Sequence, residues 1–346
     1  MINKKIKLTF LVNYLSGCLI FILFFLNTNN YLIGADKASP YSFLNNSVSV
    51  RAAGIGGAAV CFDYDCAGAL INPALLSTPN KNNINVTFLK HLLDINSGNL
   101  MFVFNNSNTD NTNEEQFNKP LNQTNSSGVF AGSVVYTNYG TFDYYNELGQ
   151  STGGSFTGNM VSMNGTYANA IDDRFFGGIT LKLIFNQLES MSGFAVAIDA
   201  GLLYKLDDGR TNFGFSILNA GTELKQFIPN YKSTIPLDIR LGFNHRLRGL
   251  PLNFNFGFNQ LATEGKLITR FENVNIGGEL YFGDNVQIRL GFDNYIRKRF
   301  SSGQNKGLTG SSCGVGIVTN VINVDYSISI FSPSLYLHRF GVNFKI

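Results

Sequence analysis

The sequence predicts an all-β protein, a transmembrane outer-membrane β-barrel of fourteen antiparallel strands with an N-terminal plug-like segment. Three observations predict this fold. Segments of about ten residues alternate apolar with polar side chains along most of the chain. The connections between these segments alternate between long and short, as in outer-membrane barrels. The last segment runs to the final residue, Ile346, and its exposed edge is expected to be paired by closure of the sheet.

Residues 1–35 have the layout of a secretory signal peptide. Three lysines precede an apolar run over residues 8–26, and a polar stretch with Ala35 follows it. The alternative is a single membrane-spanning helix, because the run is long enough to span. A signal peptide cleaved near Ala35 is favoured, since polar or small residues interrupt the run: Asn13, Ser16 and Gly17.

The charge of the chain gives no indication of a nucleic-acid partner. The formal net charge is +3, and Lys4, Lys5 and Lys7 of the signal account for it. The chain has 31 Phe and 15 Tyr but no Trp, so an interfacial aromatic girdle would consist of Phe and Tyr.

Cysteine and histidine spacing predicts neither a metal site nor a bound cofactor. Cys61 and Cys66 could form a disulfide in an oxidising compartment, with Cys313 left free, or all three could be small apolar residues. The histidines are far apart, and no nucleophile motif joins Ser, His and acidic residues, so no enzymatic activity is expected. The three histidines are His91, His245 and His338.

Two segments illustrate the period-two alternation, 237–243 (LDIRLGF) and 286–292 (VQIRLGF). A soluble sandwich would place the polar face in outside water, and a membrane barrel would place it in a wet lumen, so alternation alone does not separate the two. In the barrel, Arg289 and Asp325 are predicted to point inward, and Ile288, Leu290, Val324 and Tyr326 to face lipid. The other charged residues predicted to face the lumen are Lys182, Asp199, Asp238, Arg240 and Asp293.

The lengths of the connections favour the barrel. The predicted strands lie near residues 84–92, 98–104, 129–137, 155–168, 174–186, 194–206, 211–219, 235–247, 250–262, 271–282, 286–300, 312–319, 321–331 and 336–346. The long connections are 138–154, 187–193, 220–234, 263–270 and 301–311, and the short ones are 169–173, 207–210, 248–249, 283–285 and residue 320. Short turns are periplasmic in such barrels, and an even number of strands places both termini in the periplasm.

Residues 105–127 break this alternation within the predicted barrel, residues 84–346. They are rich in Asn, Thr and Gln and stand where a short turn belongs. Such a composition predicts a disordered insertion. The alternative is that the first two strands are wrongly counted, which would change the topology of residues 84–128.

The C-terminal strand, residues 336–346, carries a candidate signal for barrel assembly. Its ending has the order polar, any residue, glycine, two residues, aromatic, any residue, hydrophobic, which resembles the C-terminal signal of outer-membrane barrels. The residues that match are Gly341, Phe344 and Ile346, with Ile346 in place of the usual Phe.

The segment before the barrel, residues 36–83, is predicted to be a compact plug packed inside or against the barrel. Its residues 51–79 are rich in glycine and alanine, which allow close backbone packing, and Asn72-Pro73 favours a turn. The glycines at 54, 56 and 57 lack the strand and helix context of a nucleotide-binding loop. Asp63 and Asp65 are weak evidence for a cation site, because further oxygen ligands are missing.

A family resemblance rests on this segment. Arg51, Gly54, Gly56, Gly57, and Asn72-Pro73 followed by Ala-Leu-Leu resemble the N-terminal signature of the PorV/PorQ family, FadL-like outer-membrane barrels of Bacteroidetes. Residues 93–98 and 136–156 are similar to the PorQ branch of that family. The similarity extends from about residue 45 to the end, apart from the insertion and the two plug cysteines.

The resemblance implies a fourteen-stranded barrel and a role in type IX protein secretion. It implies help in assembling or anchoring the surface attachment complex, with outer-membrane lipid and components of the PorU, PorV and PorZ type as partners. Residues 138–154 and 220–234 are the loops expected to contact partners. The alternative function is a FadL-like channel for hydrophobic small molecules. The inward positions are mostly Asn, Asp, Arg, Gly and Ser, and this polarity favours the secretion role.

Overall fold

A computed structural model of the chain describes residues 39–78, 82–91, 94–105, 128–263, 266–300 and 307–346. The predicted signal peptide and residues 106–127 of the predicted insertion lie outside these ranges. The described residues form a closed barrel of fourteen antiparallel strands, each paired with its neighbours in sequence. The predicted fold class is confirmed. Within the described part, no helix is both long and apolar enough to cross a membrane.

The strands are numbered in chain order. They are β1 Asn83–Lys90, β2 Asn96–Asn105, β3 Val129–Tyr145, β4 Ser151–Ala170, β5 Phe175–Leu188, β6 Met191–Lys205, β7 Thr211–Lys225, β8 Asp238–Arg246, β9 Leu252–Phe258, β10 Val274–Phe282, β11 Val286–Asp293, β12 Ser311–Val318, β13 Ile322–Ser332 and β14 Leu335–Lys345. The α-helices are α1 Val50–Gly54, α2 Leu267–Arg270 and α3 Asn294–Phe300, and the 3-10 helices are Ser42–Asn45, Cys66–Leu70 and Pro73–Ser77.

The barrel closes between its first and last strands. Phe344 of β14 stands opposite Ile84 of β1, and the register continues without a break to His338 opposite Lys90. The backbone N–H of Ile346 donates to the carbonyl of Asn82 at 2.9 Å. The C-terminal strand therefore has no open edge, as its sequence predicts.

Side chains alternate between the lumen and the outer face. Arg289 is fully buried, whereas its neighbours Ile288 and Leu290 are 41% and 65% exposed. Asp325 is buried and Tyr326 is exposed in the same way on β13. All seven charged residues that were predicted to point inward are buried. The register of these strands is therefore as predicted, because successive residues of a strand face opposite sides.

The connections divide the barrel into a turn end and a loop end. The turn end carries the short turns 171–174, 206–210, 247–251, 283–285 and 319–321, and β14 finishes there. The loop end carries the longer loops 226–237, 259–273 and 294–310. Ser39 donates from Oγ to the carbonyl of Thr234 at 2.6 Å, so the described chain begins near the loop end. From there it passes through the lumen to β1, which starts at the turn end.

Two predicted connections and one predicted strand differ from the structure. Residues 138–154 are mostly an extension of β3 and β4, closed by the turn 146–150. Thr, Tyr and Phe have high β propensity, and Phe142 stacks on Phe156 across the two strands at 5.3 Å. Residues 187–193 reduce to a two-residue turn. The predicted strand 286–300 ends at Asp293, whose side chain accepts from the backbone N–H of Tyr295 at 2.8 Å and starts α3.

Candidate functional site

The lumen holds the N-terminal segment, which has two parts. We name residues 39–46 the arm and residues 47–78 the plug core. Inward-facing side chains of the barrel donate to the backbone of the plug core at several heights. Ser216 Oγ donates to Ile71 O at 2.9 Å, and Asn244 Nδ2 donates to Cys61 O at 3.0 Å. The plug core therefore lies inside the barrel and not against its outer face.

Glycines of the barrel wall let the plug core approach closely. A Cβ atom built on Gly291 would lie 2.1 Å from the backbone of Ile55, and one on Gly277 would lie 2.3 Å from the same residue. Gly214 faces the carbonyl of Val60 in the same way, at 2.6 Å. Any side chain at these positions would displace the plug core, so the two surfaces are fitted to each other.

The three glycines of the family signature lie where the plug core turns against β10 to β12. Gly56 and Gly57 have φ angles of 68° and 78°, which other residues rarely adopt. A Cβ on Gly56 would lie 2.5 Å from the backbone N of Phe292, and one on Gly54 would lie 3.2 Å from Cβ of Arg289. Conformation and space therefore both require glycine at position 56.

Asn72 and Pro73 join the plug core to β5 and β6. The Asn72 amide donates to Val60 O at 2.7 Å and to Leu202 O at 3.0 Å, while its Oδ1 accepts from Ala74 N at 3.1 Å. Pro73 occupies the first position of its 3-10 helix, where no N–H is needed. One short motif thus caps a helix and ties two parts of the plug core to the wall.

Arg51, the first residue of the signature, enters a buried chain of charges. Its Nη2 lies 2.9 Å from Glu279 Oε2 on β10, and Arg289 Nε lies 2.7 Å from Glu279 Oε1. Arg289 Nη1 lies 2.6 Å from Asp325 Oδ1. Arg51 also stacks on the ring of Phe62, 4.4 Å from its centroid. The alternating signs compensate each other, as buried charges require.

Asp63 and Asp65 of the plug core contact different partners. Asp63 lies 2.9 Å from Arg246 and 3.7 Å from Lys205. Burial raises the pKa of Asp63, but these cations and Arg51 outweigh burial and hold its pKa below the ordinary value. Asp65 accepts a hydrogen bond from Ser49, and burial raises its pKa.

These arrangements do not support a cation site. The carboxylates of Asp63 and Asp65 are used within the protein, and the described residues contain no group of three or more potential ligands of a metal ion.

The cysteines of the plug core are free thiols that pack in different apolar clusters. Cys61 lies with Leu75, Phe176 and Leu203, and Cys66 lies with Leu76, Met101 and other residues near β2 and β3. The structure therefore has two small apolar residues here instead of a disulfide.

Part of the lumen is apolar, which the sequence analysis did not predict. Tyr41 and Phe43 of the arm pack against an inward-facing cluster that we name the apolar wall: Met160, Ile184, Ala195, Ala197 and Ile235. Tyr41 Oη donates to Glu223 Oε1 at 2.8 Å, and Glu223 also accepts from two backbone N–H groups of loop 226–237. The arm thus covers an apolar surface near the loop end of the barrel.

Known structures share this architecture. The toluene transporter TodX of Pseudomonas putida matches with a TM-score of 0.54 at 12% identity, over 85% of this chain and 96% of that chain. The toluene transporter TbuX of Ralstonia pickettii matches with a TM-score of 0.53 at 12% identity, over 87% and 100%. A FadL homologue of Pseudomonas aeruginosa matches with a TM-score of 0.50 at 11% identity, over 87% and 98%.

This chain has the fold of FadL-like outer-membrane barrels. No protein-family model matches the chain, and no curated protein matches its sequence. The narrower resemblance to the PorV/PorQ family therefore stays a prediction, and so do the roles of Gly341, Phe344 and Ile346 in barrel assembly.

Proposed function

We propose that the protein is an outer-membrane channel for hydrophobic small molecules. The observation that carries this proposal is the apolar wall beneath the arm, because a conduit for apolar molecules needs an apolar surface inside the barrel. The fold shared with two toluene transporters supports it. In this proposal the turn end faces the periplasm and the loop end faces outward.

The arm would control access to the apolar wall. It is held by few polar contacts, notably Tyr41 Oη to Glu223 and Ser39 Oγ to Thr234 O. The plug core is instead held by the buried charge chain and the glycine contacts. Because the arm makes fewer strong contacts, it is the part that a hydrophobic molecule would displace first, and the plug core would move afterwards or adjust locally.

The test is uptake in a strain whose own hydrophobic channels are deleted. Cells that express the full-length protein should accumulate a radiolabelled aromatic hydrocarbon several-fold faster than cells with an empty vector. A hydrophilic sugar of similar mass serves as the control and should enter at the same rate in both. Equal hydrocarbon uptake by the two strains would contradict the channel function.

A second candidate is an outer-membrane component of the type IX secretion system that helps assemble or anchor the surface attachment complex. The observation that favours it is that Arg51, the three glycines and Asn72-Pro73 of the resembling signature are the residues that fasten the plug core. A firmly fastened plug suits a scaffold better than a conduit. Partners of the PorU, PorV and PorZ type would bind at the loop end.

Deletion of the gene in its native host separates the two candidates. A secretion component predicts impaired surface display of cargo with the type IX C-terminal domain and unchanged hydrocarbon uptake. A channel predicts the reverse. Replacing residues 226–237 by a short Gly/Ser turn should weaken partner capture in the secretion case. That loop also supplies Ile235 of the apolar wall, so the folding of the variant must be checked first. A folded barrel migrates faster on a detergent gel when unboiled than when boiled, which we call heat-modified mobility.

A further inference from the structure

Two loops at the loop end carry most of its described positive charge. The described stretches 266–273 and 294–300 contain five basic residues and one acidic residue. The basic residues are Lys266, Arg270, Arg297, Lys298 and Arg299. The five short turns of the opposite end contain three basic and five acidic residues. These two loops and the five turns of the opposite end therefore differ in the sign of their charge.

The two loops are joined into one surface. Lys298 Nζ lies 2.6 Å from Glu272 Oε2, and Asn294 Nδ2 donates to Glu272 O at 2.7 Å. These contacts hold α3 against the segment that follows α2. Within the two described stretches the one acidic residue, Glu272, is thus paired with Lys298, and neither Arg270 nor Arg297 shares it.

This surface is attached to the outer, lipid-facing side of the wall. Phe271 packs edge-on against Phe258, with ring centroids 5.3 Å apart, and the Arg297 guanidinium lies 5.7 Å above the ring of Phe292. Phe258 and Phe292 belong to the outward-facing positions of β9 and β11, because they share the side of Phe254 and Leu290, which are exposed. Ile268 and Phe300 are also exposed. Cations and large apolar side chains therefore lie side by side where the two loops join the apolar outer face of the barrel.

Arg270 and Arg297 make only weak contacts with neutral groups. Nη1 of Arg270 lies 3.5 Å from Leu261 O, and Nη1 of Arg297 lies 3.5 Å from Gly307 O and Thr309 O. Among the described residues, no carboxylate lies within ion-pair distance of either guanidinium. Arginine is well suited to hold a phosphate through two parallel hydrogen bonds.

We propose that this surface binds the phosphate groups of a phosphorylated glycolipid of the outer leaflet. The positive charge complements phosphate, and the aromatic residues continue the apolar outer face of the barrel. The headgroup of one lipid would therefore contact the cations while its acyl chains contact the aromatic residues. The assignment to the outer leaflet rests on the proposed orientation, with the loop end outward. It does not depend on whether the lumen conducts molecules or serves as a scaffold.

The experiment compares diphosphorylated lipid A with enzymatically dephosphorylated lipid A. Binding to the full-length protein in detergent is measured by native mass spectrometry. Wild type should retain the diphosphorylated form more tightly, and R270Q/R297Q should lose about fivefold in affinity for each cation removed. The matched control is R210Q/R248Q, which removes two arginines from the turn end and should bind as wild type does. Heat-modified mobility confirms that each variant folds.

Three outcomes would overturn the proposal. Equal binding of both forms of lipid A would exclude phosphate recognition. Equal loss in R270Q/R297Q and R210Q/R248Q would indicate a general effect of net charge. Phosphatidylglycerol binding as tightly as lipid A would indicate an ordinary anionic lipid. If R270Q/R297Q fails to fold, wild type is measured at low and high salt, where phosphate recognition predicts a steep loss of lipid A affinity.

Discussion

Arg289 on β11 and Asp325 on β13 form an ion pair across the intervening strand β12, with Nη1 and Oδ1 2.6 Å apart. The residue between them on β12 is Gly316. A Cβ atom at Gly316 would lie 2.5 Å from Asp325 Oδ1 and 2.7 Å from Arg289 Nη2. The pair can therefore form only because the strand between its members has no side chain at that height.

Gly316→Ala should weaken this pair and destabilise the barrel by about 1–3 kcal/mol, the usual cost of overpacking. The added methyl group would push apart two charged ends that are buried in the lumen. The measurement is the temperature at which the folded band converts to the unfolded band on a detergent gel. Gly165→Ala is the control, because its Cβ would meet nothing within 4 Å. Equal midpoints for the two variants would contradict the prediction.

Glu279→Gln should cost more, about 3–5 kcal/mol, because it leaves Arg51 and Arg289 buried without their shared carboxylate. The plug core should loosen, which limited proteolysis within residues 47–78 would detect. Glu272→Gln is the matched control, since its ion pair with Lys298 is exposed and contributes about 0–1 kcal/mol. Protease resistance equal to wild type in Glu279→Gln would show that the charge chain does not hold the plug core.

Phe344→Asp should prevent correct assembly and lower the amount of folded protein several-fold. Phe344 is 41% exposed on the outer face beside the closing seam, so the substitution places a charge against lipid. Asn343→Asp tests the same strand on the lumen side, where Asn343 Nδ2 donates to Asn83 Oδ1 and a new charge does not face lipid. We expect folded Asn343→Asp at nearly wild-type abundance. Normal amounts of folded Phe344→Asp would mean that this residue neither faces lipid nor guides assembly.

Tyr41→Ala combined with Phe43→Ala should speed hydrocarbon uptake several-fold by uncovering the apolar wall. The buried charge chain is untouched, so the unfolding temperature should fall less than in Glu279→Gln. Tyr41→Phe removes only the hydrogen bond to Glu223 and separates the contribution of that bond from the loss of packing. Unchanged uptake in the double variant, with the protein folded, would show that the arm does not control access.

Local patterns in the sequence account for most of the fold. Alternation identified all fourteen strands, and Arg289 and Asp325 point inward as expected because strand periodicity is strict. The pattern failed where β3 and β4 continue past the ends of their neighbours β2 and β5. Residues 141–145 were predicted to be a loop, yet they pair with residues 151–157 because aromatic and β-branched side chains stabilise an isolated ribbon.

The interior site was predictable only in part. The plug signature was recognised, but Arg51 and Glu279 are 228 residues apart, and no local signal joins them. The apolar wall was missed because the stretch around Ala195 and Ala197 is apolar on both faces, which removes the contrast that alternation depends on. Contacts between distant parts of the chain thus had to come from the structure.

The extension of β3 and β4 also changes what the barrel presents to its surroundings. β2 pairs with β3 only as far as Asn138, and β5 pairs with β4 only from Gly158. Beyond these points, residues 139–145 and 151–157 form a two-stranded ribbon with no flanking strand among the described residues. At its base, Thr157 O accepts from the backbone N–H of Glu189 at 3.3 Å, and the residues further along the ribbon, 141–145 and 151–155, are exposed. A barrel that is closed within the membrane therefore still offers, on one side only, an edge to which an extended peptide could add as a further strand.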